Sequence, residues 1–187
     1  MKQLPCVLAL ISLFALTAAC GDPPSITEAR APSDPDSSRI TICEPHEPGE
    51  RLTIRGRVLD DRGMPLSKAA VIAYNADRNG LYNPPDSPTR VPRIRGVAVS
   101  ADDGSFRVTT VRPGAYPSGT DPAHLHLEVV APAHHLRSME IWFEGDPLIT
   151  AEHRRRAAAS PNTVLVELSR APSGAWEFSR DIRLQGN

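Results

Sequence analysis

About one residue in six of this 187-residue chain is a proline or a glycine (19 and 12). No bundle of long helices survives turn-formers at that density. Between the turns, short segments alternate apolar with polar residues. Leu52-Thr53-Ile54-Arg55-Gly56-Arg57-Val58-Leu59 has the period of a half-buried strand. The cluster Asp60-Asp61-Arg62-Gly63-Met64-Pro65 turns the chain into a second apolar run, Ala69–Tyr74. Val97–Ser100 and Phe106–Val111 flank Asp102-Asp103-Gly104 and predict a hairpin. Further strands are predicted over His124–Val130, Met139–Phe143, Val164–Leu168 and Trp176–Ile182, with a short helix over Ala151–Ala159. About six to eight short strands at regular turn spacing predict an all-β domain over residues 50–187, an antiparallel β-sandwich or barrel. Such a shape hosts many chemistries and selects none.

The N-terminus reads as an address. Met1-Lys2 precedes the apolar run Val7–Leu16 and then Thr17-Ala18-Ala19-Cys20, the layout of a secretory signal over residues 1–19. The run is shorter than the ~20 apolar residues that a membrane span needs. Small residues directly before a cysteine resemble a bacterial lipoprotein signal, with Cys20 as the lipidated first residue, although Thr17 stands where leucine is usual. The expected location is outside the cytoplasm, tied to the membrane only through that anchor. Residues 20–49 carry six prolines among Ser, Asp and Glu and are expected to form an extended tether. Cys43 is expected to be incidental within it, since the loss of Cys6 and acylation of Cys20 leave it no partner.

A formal charge of −1, from 21 basic and 22 acidic residues, leaves no electrostatic footprint for nucleic acid. Three cysteines cannot make a disulfide framework. The search for chemistry therefore narrows to a few motifs.

Pro122-Ala123-His124-Leu125-His126-Leu127-Glu128 is the informative one. Side chains alternate across a strand, so His124 and His126 share a face, roughly 6.5–7 Å apart along the chain, and can converge on one metal. Zinc, copper and manganese sites use such pairs, and many pairs bind nothing. Two of the chain's three tyrosines sit in turns: Tyr116 in Pro113-Gly114-Ala115-Tyr116-Pro117, and Tyr82 in Asn79-Gly80-Leu81-Tyr82-Asn83-Pro84. Phenolate is a hard anionic donor, and an oxygen-bearing, thiolate-free set points to ferric iron over structural zinc. Other histidines read blandly: His134-His135 as a solvated loop, His153-Arg154-Arg155-Arg156 as a solvated helix face, and His46 as a bystander. Asp77-Arg78-Asn79-Gly80 reads as a turn, not a calcium loop, and Trp142 and Phe143 as core.

Taken together, the pieces resemble the catalytic core of intradiol ring-cleavage dioxygenases. They are Asp103-Gly104, Arg112-Pro113-Gly114-Ala115-Tyr116-Pro117, Pro122-Ala123-His124-Leu125-His126 and Trp142-Phe143-Glu144-Gly145-Asp146-Pro147-Leu148. Upstream, Pro48-Gly49-Glu50, Gly56-Arg57-Val58-Leu59 and Gly80-Leu81-Tyr82 follow in the family's order. The resemblance implies a β-sandwich with metal-bearing loops. It also implies a non-haem Fe(III) ion held by Tyr82, Tyr116, His124 and His126, with Tyr82 and Tyr116 serving in catalysis. The implied partners are a small aromatic diol and O2, and the implied reaction opens the ring between its two hydroxyls to a muconate-type diacid. Tyr74 matches no ligand and reads as wall or core.

Two positions depart from the family pattern beside the expected substrate. Asp121 stands where an arginine is common, and Glu140 where a glutamine is. Two carboxylates there disfavour an anionic ring substituent, so catechol or a neutral derivative is expected over protocatechuate. Arg93, Arg95 and Arg137 are candidates for a replacement cation. By the resemblance, no counterpart of the N-terminal helical region through which catechol dioxygenases dimerise is expected, and any oligomer is expected to use another interface. The alternative expectation is an exported binding module that keeps the fold without ring cleavage.

Overall fold

The structure, a computed structural model, describes residues 36–187. The expected signal, the lipidation candidate Cys20 and the first part of the expected tether lie outside the described residues. Two sheets face each other across one apolar core. The first contains β1 (Arg39–Thr41), β5 (Ser105–Val111), β2 (Arg51–Leu59), β10 (Trp176–Ser179) and β9 (Ser169–Arg170) in that order, with β11 (Ile182–Arg183) also pairing with β2. The second has the order β4 (Arg95–Val99), β3 (Ala70–Asn75), β6 (His124–Val130), β7 (Arg137–Phe143), β8 (Thr163–Val166). A single helix among the described residues, α1 (Ala151–Ala159), joins β7 to β8.

The period-2 patterns decide which side chains face inward. Leu52, Ile54 and Val58 of β2 are fully buried, as are Leu125, Leu127 and Val129 of β6 and Ile141 and Phe143 of β7. Burying such a side chain contributes about 1.5–3 kcal/mol. The alternate residues of β6, among them His124, His126 and Glu128, are thereby turned to the sheet's other face. That face carries the site.

The all-β sandwich is as expected, with three differences. The sheets are mixed: β1–β5, β2–β10, β2–β11 and β7–β8 pair in parallel. Alternation marks a strand but not its partner, so direction was not legible. The expected hairpin is not one. The Asp102-Asp103-Gly104 turn forms, with Gly104 N donating to Ala101 O, but β4 joins the second sheet and β5 the first. The turn therefore carries the chain from one layer to the other. The run expected over Trp176–Ile182 divides into β10 and β11, with Arg180 N donating to Arg55 O at the break.

The end of the expected tether is also packed. Arg39-Ile40-Thr41 pairs with β5, and Ile40, Ile42, Cys43 and Glu47 are buried. Ile40 and Ile42 alternate with Arg39 and Thr41, so the short segment presents an apolar edge that the core covers. Cys43, read as incidental, accepts a hydrogen bond from Arg51 Nη1 at 2.8 Å. Burial raises its thiol pKa.

Candidate metal centre

Two loops and one strand deliver the four expected donors to one spot. Asp77 ends the chain's exit from β3. Its Oδ1 accepts from Asn79 N at 2.8 Å and Leu81 N at 3.0 Å, closing the turn that presents Tyr82. The loop bearing Tyr116 lies directly against that turn, with Gly114 N donating to Asp77 O at 2.9 Å. Backbones this close leave no room for side chains. A Cβ on Gly80 would sit 1.9 Å from Ala115 O, and one on Gly114 would sit 2.3 Å from Arg78 O. Gly80 also has φ +79, a conformation that other residues enter at a cost. The glycines of Gly80-Leu81-Tyr82 and Gly114-Ala115-Tyr116 are thus what lets the two tyrosines meet.

Tyr82 Oη and Tyr116 Oη are 2.5 Å apart, and Tyr116 Oη is 2.9 Å from His124 Nε2. His124 Nδ1 donates to Pro122 O at 2.7 Å, so the proton sits on Nδ1 and the Nε2 lone pair faces the phenols. His124 and His126 have ring centroids 4.9 Å apart, and the Tyr82 and His126 rings are 6.4 Å apart. Asp146 fixes the entry to this strand. Its Oδ2 accepts from Ala123 N at 3.3 Å and its Oδ1 from Leu148 N at 2.9 Å. The Gly145-Asp146-Pro147 motif therefore holds the backbone just before His124.

Burial sets the charge of the cluster. It raises the Tyr82 pKa well above that of an ordinary phenol, helped by the Tyr116 hydroxyl, and raises that of Tyr116 too. Burial, then the neighbouring His124, brings His126 down to about 4. Tyr82, Tyr116 and His126 are thus neutral at pH 7, and a cation entering here displaces phenol protons. No group of three or more His, Cys, Asp or Glu able to hold a metal occurs among the described residues. The donor set is instead two phenols and two imidazoles without a thiolate, which fits a ferric ion.

Tyr74, read as wall or core, is the wall of this site. It stacks on His126 with centroids 4.6 Å apart and 13° between planes, and its hydroxyl donates to Glu128 at 3.2 Å. Burial, then Glu128, pushes its pKa up to about 12. Register explains the stack, since Tyr74, His126 and Glu140 are neighbours on adjacent strands. Of the two departing carboxylates, Glu140 is half-buried and Asp121 exposed, and both raise the Tyr116 pKa electrostatically. The suggested replacement cations lie elsewhere or near Tyr74. Arg93 is bound to Glu47 and Asp77, Arg137 donates to Arg183 O and Pro161 O, and Arg95 acts on Tyr74. His134 Nδ1 donates to Pro132 O, His135 N donates to Gln185 O, His46 is exposed, and His153 caps α1. Phe143 is core, whereas Trp142 is buried beneath α1 against His153.

A family model described as Dioxygenase (Dioxygenase_C) matches residues 22–186. The chain belongs to the intradiol dioxygenase family. Among curated relatives it is 31% identical over 134 residues to the protocatechuate 3,4-dioxygenase beta chain of Burkholderia cepacia, covering 65% of this chain and 57% of that one. It is 29% identical over 125 residues to the chlorocatechol 1,2-dioxygenase of Rhodococcus opacus, covering 57% and 48% respectively. The chain thus spans about half the length of the curated relatives it matches. Two solved structures share the fold. The 3-chlorocatechol 1,2-dioxygenase of Rhodococcus opacus 1CP superposes with TM-score 0.67 at 22% identity, covering 88% of this chain and 70% of that one. The dioxygenase domain of a dioxygenase–carbohydrate-binding protein fusion from Streptomyces sp. SirexAA-E gives TM-score 0.62 at 24% identity, covering 79% and 87%.

Proposed function

We propose that this intradiol dioxygenase family member holds Fe(III) through Tyr82, Tyr116, His124 and His126 and opens the ring of a catechol-type diol between its hydroxyls. Both atoms of O2 enter the product, a muconate-type diacid. The convergence of the Tyr82, Tyr116 and His124 donor atoms within 2.5 and 2.9 Å carries the reading. Ferric iron supplies Lewis acidity toward a chelated diol. The protein supplies the rest. His124, pinned at Nδ1, keeps Nε2 directed into the site, and Tyr74 holds the plane of His126. Once a bound cation had displaced its own proton, Tyr116 Oη, between Tyr82 Oη and His124 Nε2, would be the oxygen placed to take a proton from an entering diol.

The test is the visible spectrum of the full chain after ferric loading. Two tyrosinates on iron give a broad charge-transfer band, which should weaken in both Tyr82→Phe and Tyr116→Phe and shift when catechol is added. A colourless protein that retains no iron refutes the assignment. One observation favours a second reading: Asp121 and Glu140 both keep the proton on Tyr116. In that reading the sandwich binds its ligand without cleaving it. Oxygen uptake on a panel of catechols decides, and no uptake by the iron-loaded chain selects the binding module.

The N-terminal pattern supports export with lipidation at Cys20, and among the described residues no helix is long and apolar enough to cross a membrane. Fatty-acid labelling that is lost in Cys20→Ser is the expected result. Equal labelling of both chains would reject the anchor.

A further inference from the structure

Glu140 lines a polar cavity of about 450 Å³ together with His126, Asn162, Thr163, Ser160 and Arg156. The cavity begins at a proposed iron ligand and runs across the sheet. His126, Glu140 and Thr163 are register neighbours on β6, β7 and β8. With strands ~4.8 Å apart, that row spans roughly 10 Å. Its volume falls within the ~300–1,000 Å³ of sites that enclose a small molecule, and a catechol ring lying at His126 leaves the far end free. What lines that end therefore reads the ring's substituent.

The cation in this lining is Arg156. Of the three arginines of α1, Arg154 pairs with Glu144 and Arg155 with Glu152. Arg156 makes no ion pair among the described residues. Its guanidinium lies 5.4 Å over the ring of Trp142, itself buried by α1. The ring and the last turn of α1 hold the charge in place, a position that the helix dipole favours. Its planar donors remain available to a carboxylate. Glu140 is the middle residue of the row from His126 to Thr163. A carboxylate fixed directly to the catechol ring would lie close to Glu140 and be repelled, whereas one on a short spacer passes it.

Resting on the ring-cleavage reading, we propose that Arg156 is the specificity residue of the site and selects catechols carrying a carboxylate on a short aliphatic spacer. The substituted diol enters with its ring toward His126 and its carboxylate on the guanidinium. Arg156 acts on binding and touches no reacting atom.

The experiment titrates the ferric-loaded full chain with three diols and follows the visible band. They are 3-(3,4-dihydroxyphenyl)propanoate, 4-ethylcatechol and 3,4-dihydroxybenzoate. The propanoate should bind about tenfold tighter than the neutral diol, with the benzoate weakest, and the preference should shrink with added salt. In Arg156→Met, which keeps a stem over Trp142, the propanoate and 4-ethylcatechol should bind alike, and Arg156→Lys should restore part of the preference. Equal affinities in the unaltered chain, or a preference that survives in Arg156→Met, overturns the proposal. If no visible band forms, the ring-cleavage reading fails by itself, and calorimetry on the same chain without metal decides the Arg156 contact. Propanoate heat lost in Arg156→Met upholds it, and absence of heat overturns it.

Discussion

Tyr74 shows how a residue outside the proposed donor set still positions one of its members. Its ring lies flat on His126, and its hydroxyl is held by Glu128. Partners that orient a metal-ligating histidine typically change metal affinity by about 10–100-fold when lost. Tyr74→Leu is therefore expected to weaken ferric retention by about tenfold in chelator competition, whereas Tyr74→Phe keeps the stack and loses little. Cys43 makes the opposite case, a reactive group put out of reach. Its thiol pKa is raised, chiefly by burial, and only partly offset by Arg51. In the unfolded chain a thiol ionises near ~8.5. The stability that this neutral thiol contributes is thus present below that pH and is lost as pH rises through the higher folded value. Mass-spectrometric mapping at pH 8 should find Cys43 unalkylated by iodoacetamide in the folded chain and alkylated in denaturant. Rapid labelling in the folded state would contradict its burial.

At the scale of elements, β6 is where the chain's pattern and its function coincide. Its bounds, His124–Val130, are those that alternation predicts, because Leu125, Leu127 and Val129 must face the core and so turn His124 and His126 to the other side. The helix Ala151–Ala159 was legible for a similar local reason, and Thr150 caps it through His153 N. What alternation could not supply was partnership. The parallel pairing of β8 to β7, the crossing of β4 and β5 into different sheets, and the stack of Tyr74 on His126 all depend on long-range register. Arg156 was hidden for the same reason, since its helix reads as solvated until β7 places Trp142 beneath it. The four proposed donor residues were read from the family pattern, yet nothing local shows that Gly80 and Gly114 are what bring the loops of Tyr82 and Tyr116 into contact. The position of β6 rests on Asp146, which is buried and receives Ala123 N. Asp146→Ala leaves that N–H unpaired, and the expected cost is about 1–3 kcal/mol in denaturant unfolding. Ferric retention should fall with it, because His124 follows directly. Unchanged retention would show that Asp146 supports the fold alone.

Across the whole molecule, the segment before β2 ties the fold to the site. Arg93 grips Glu47 with both arms, at 2.5 and 2.7 Å, and also reaches Asp77 at 3.2 Å, while its backbone N–H donates to Tyr82 O. Glu47 belongs to the stretch that prolines make look extended, and Asp77 shapes the turn that presents Tyr82. One guanidinium thus connects the entering chain, the Tyr82 loop and the approach to β4. The same stretch adds β1 to the first sheet and puts Ile40 and Ile42 into the core. At about 1.5–3 kcal/mol for each buried isoleucine, the loss of both is a large share of the roughly 5–15 kcal/mol that holds a domain folded. Removing everything before Gly49 also strips the β5 edge of its partner, an exposed edge that invites self-association. A chain beginning at Gly49 is therefore expected to melt well below one beginning at Asp36, to aggregate, and to hold ferric iron poorly even though all four donors remain. Within the longer chain, Glu47→Ala separates the two effects. It leaves β1 in place but frees Arg93, so iron retention should drop more than the melting temperature does. If the shorter chain matches the longer in both measurements, the segment is the passive spacer that its composition suggests, and the Tyr82 loop holds its own shape.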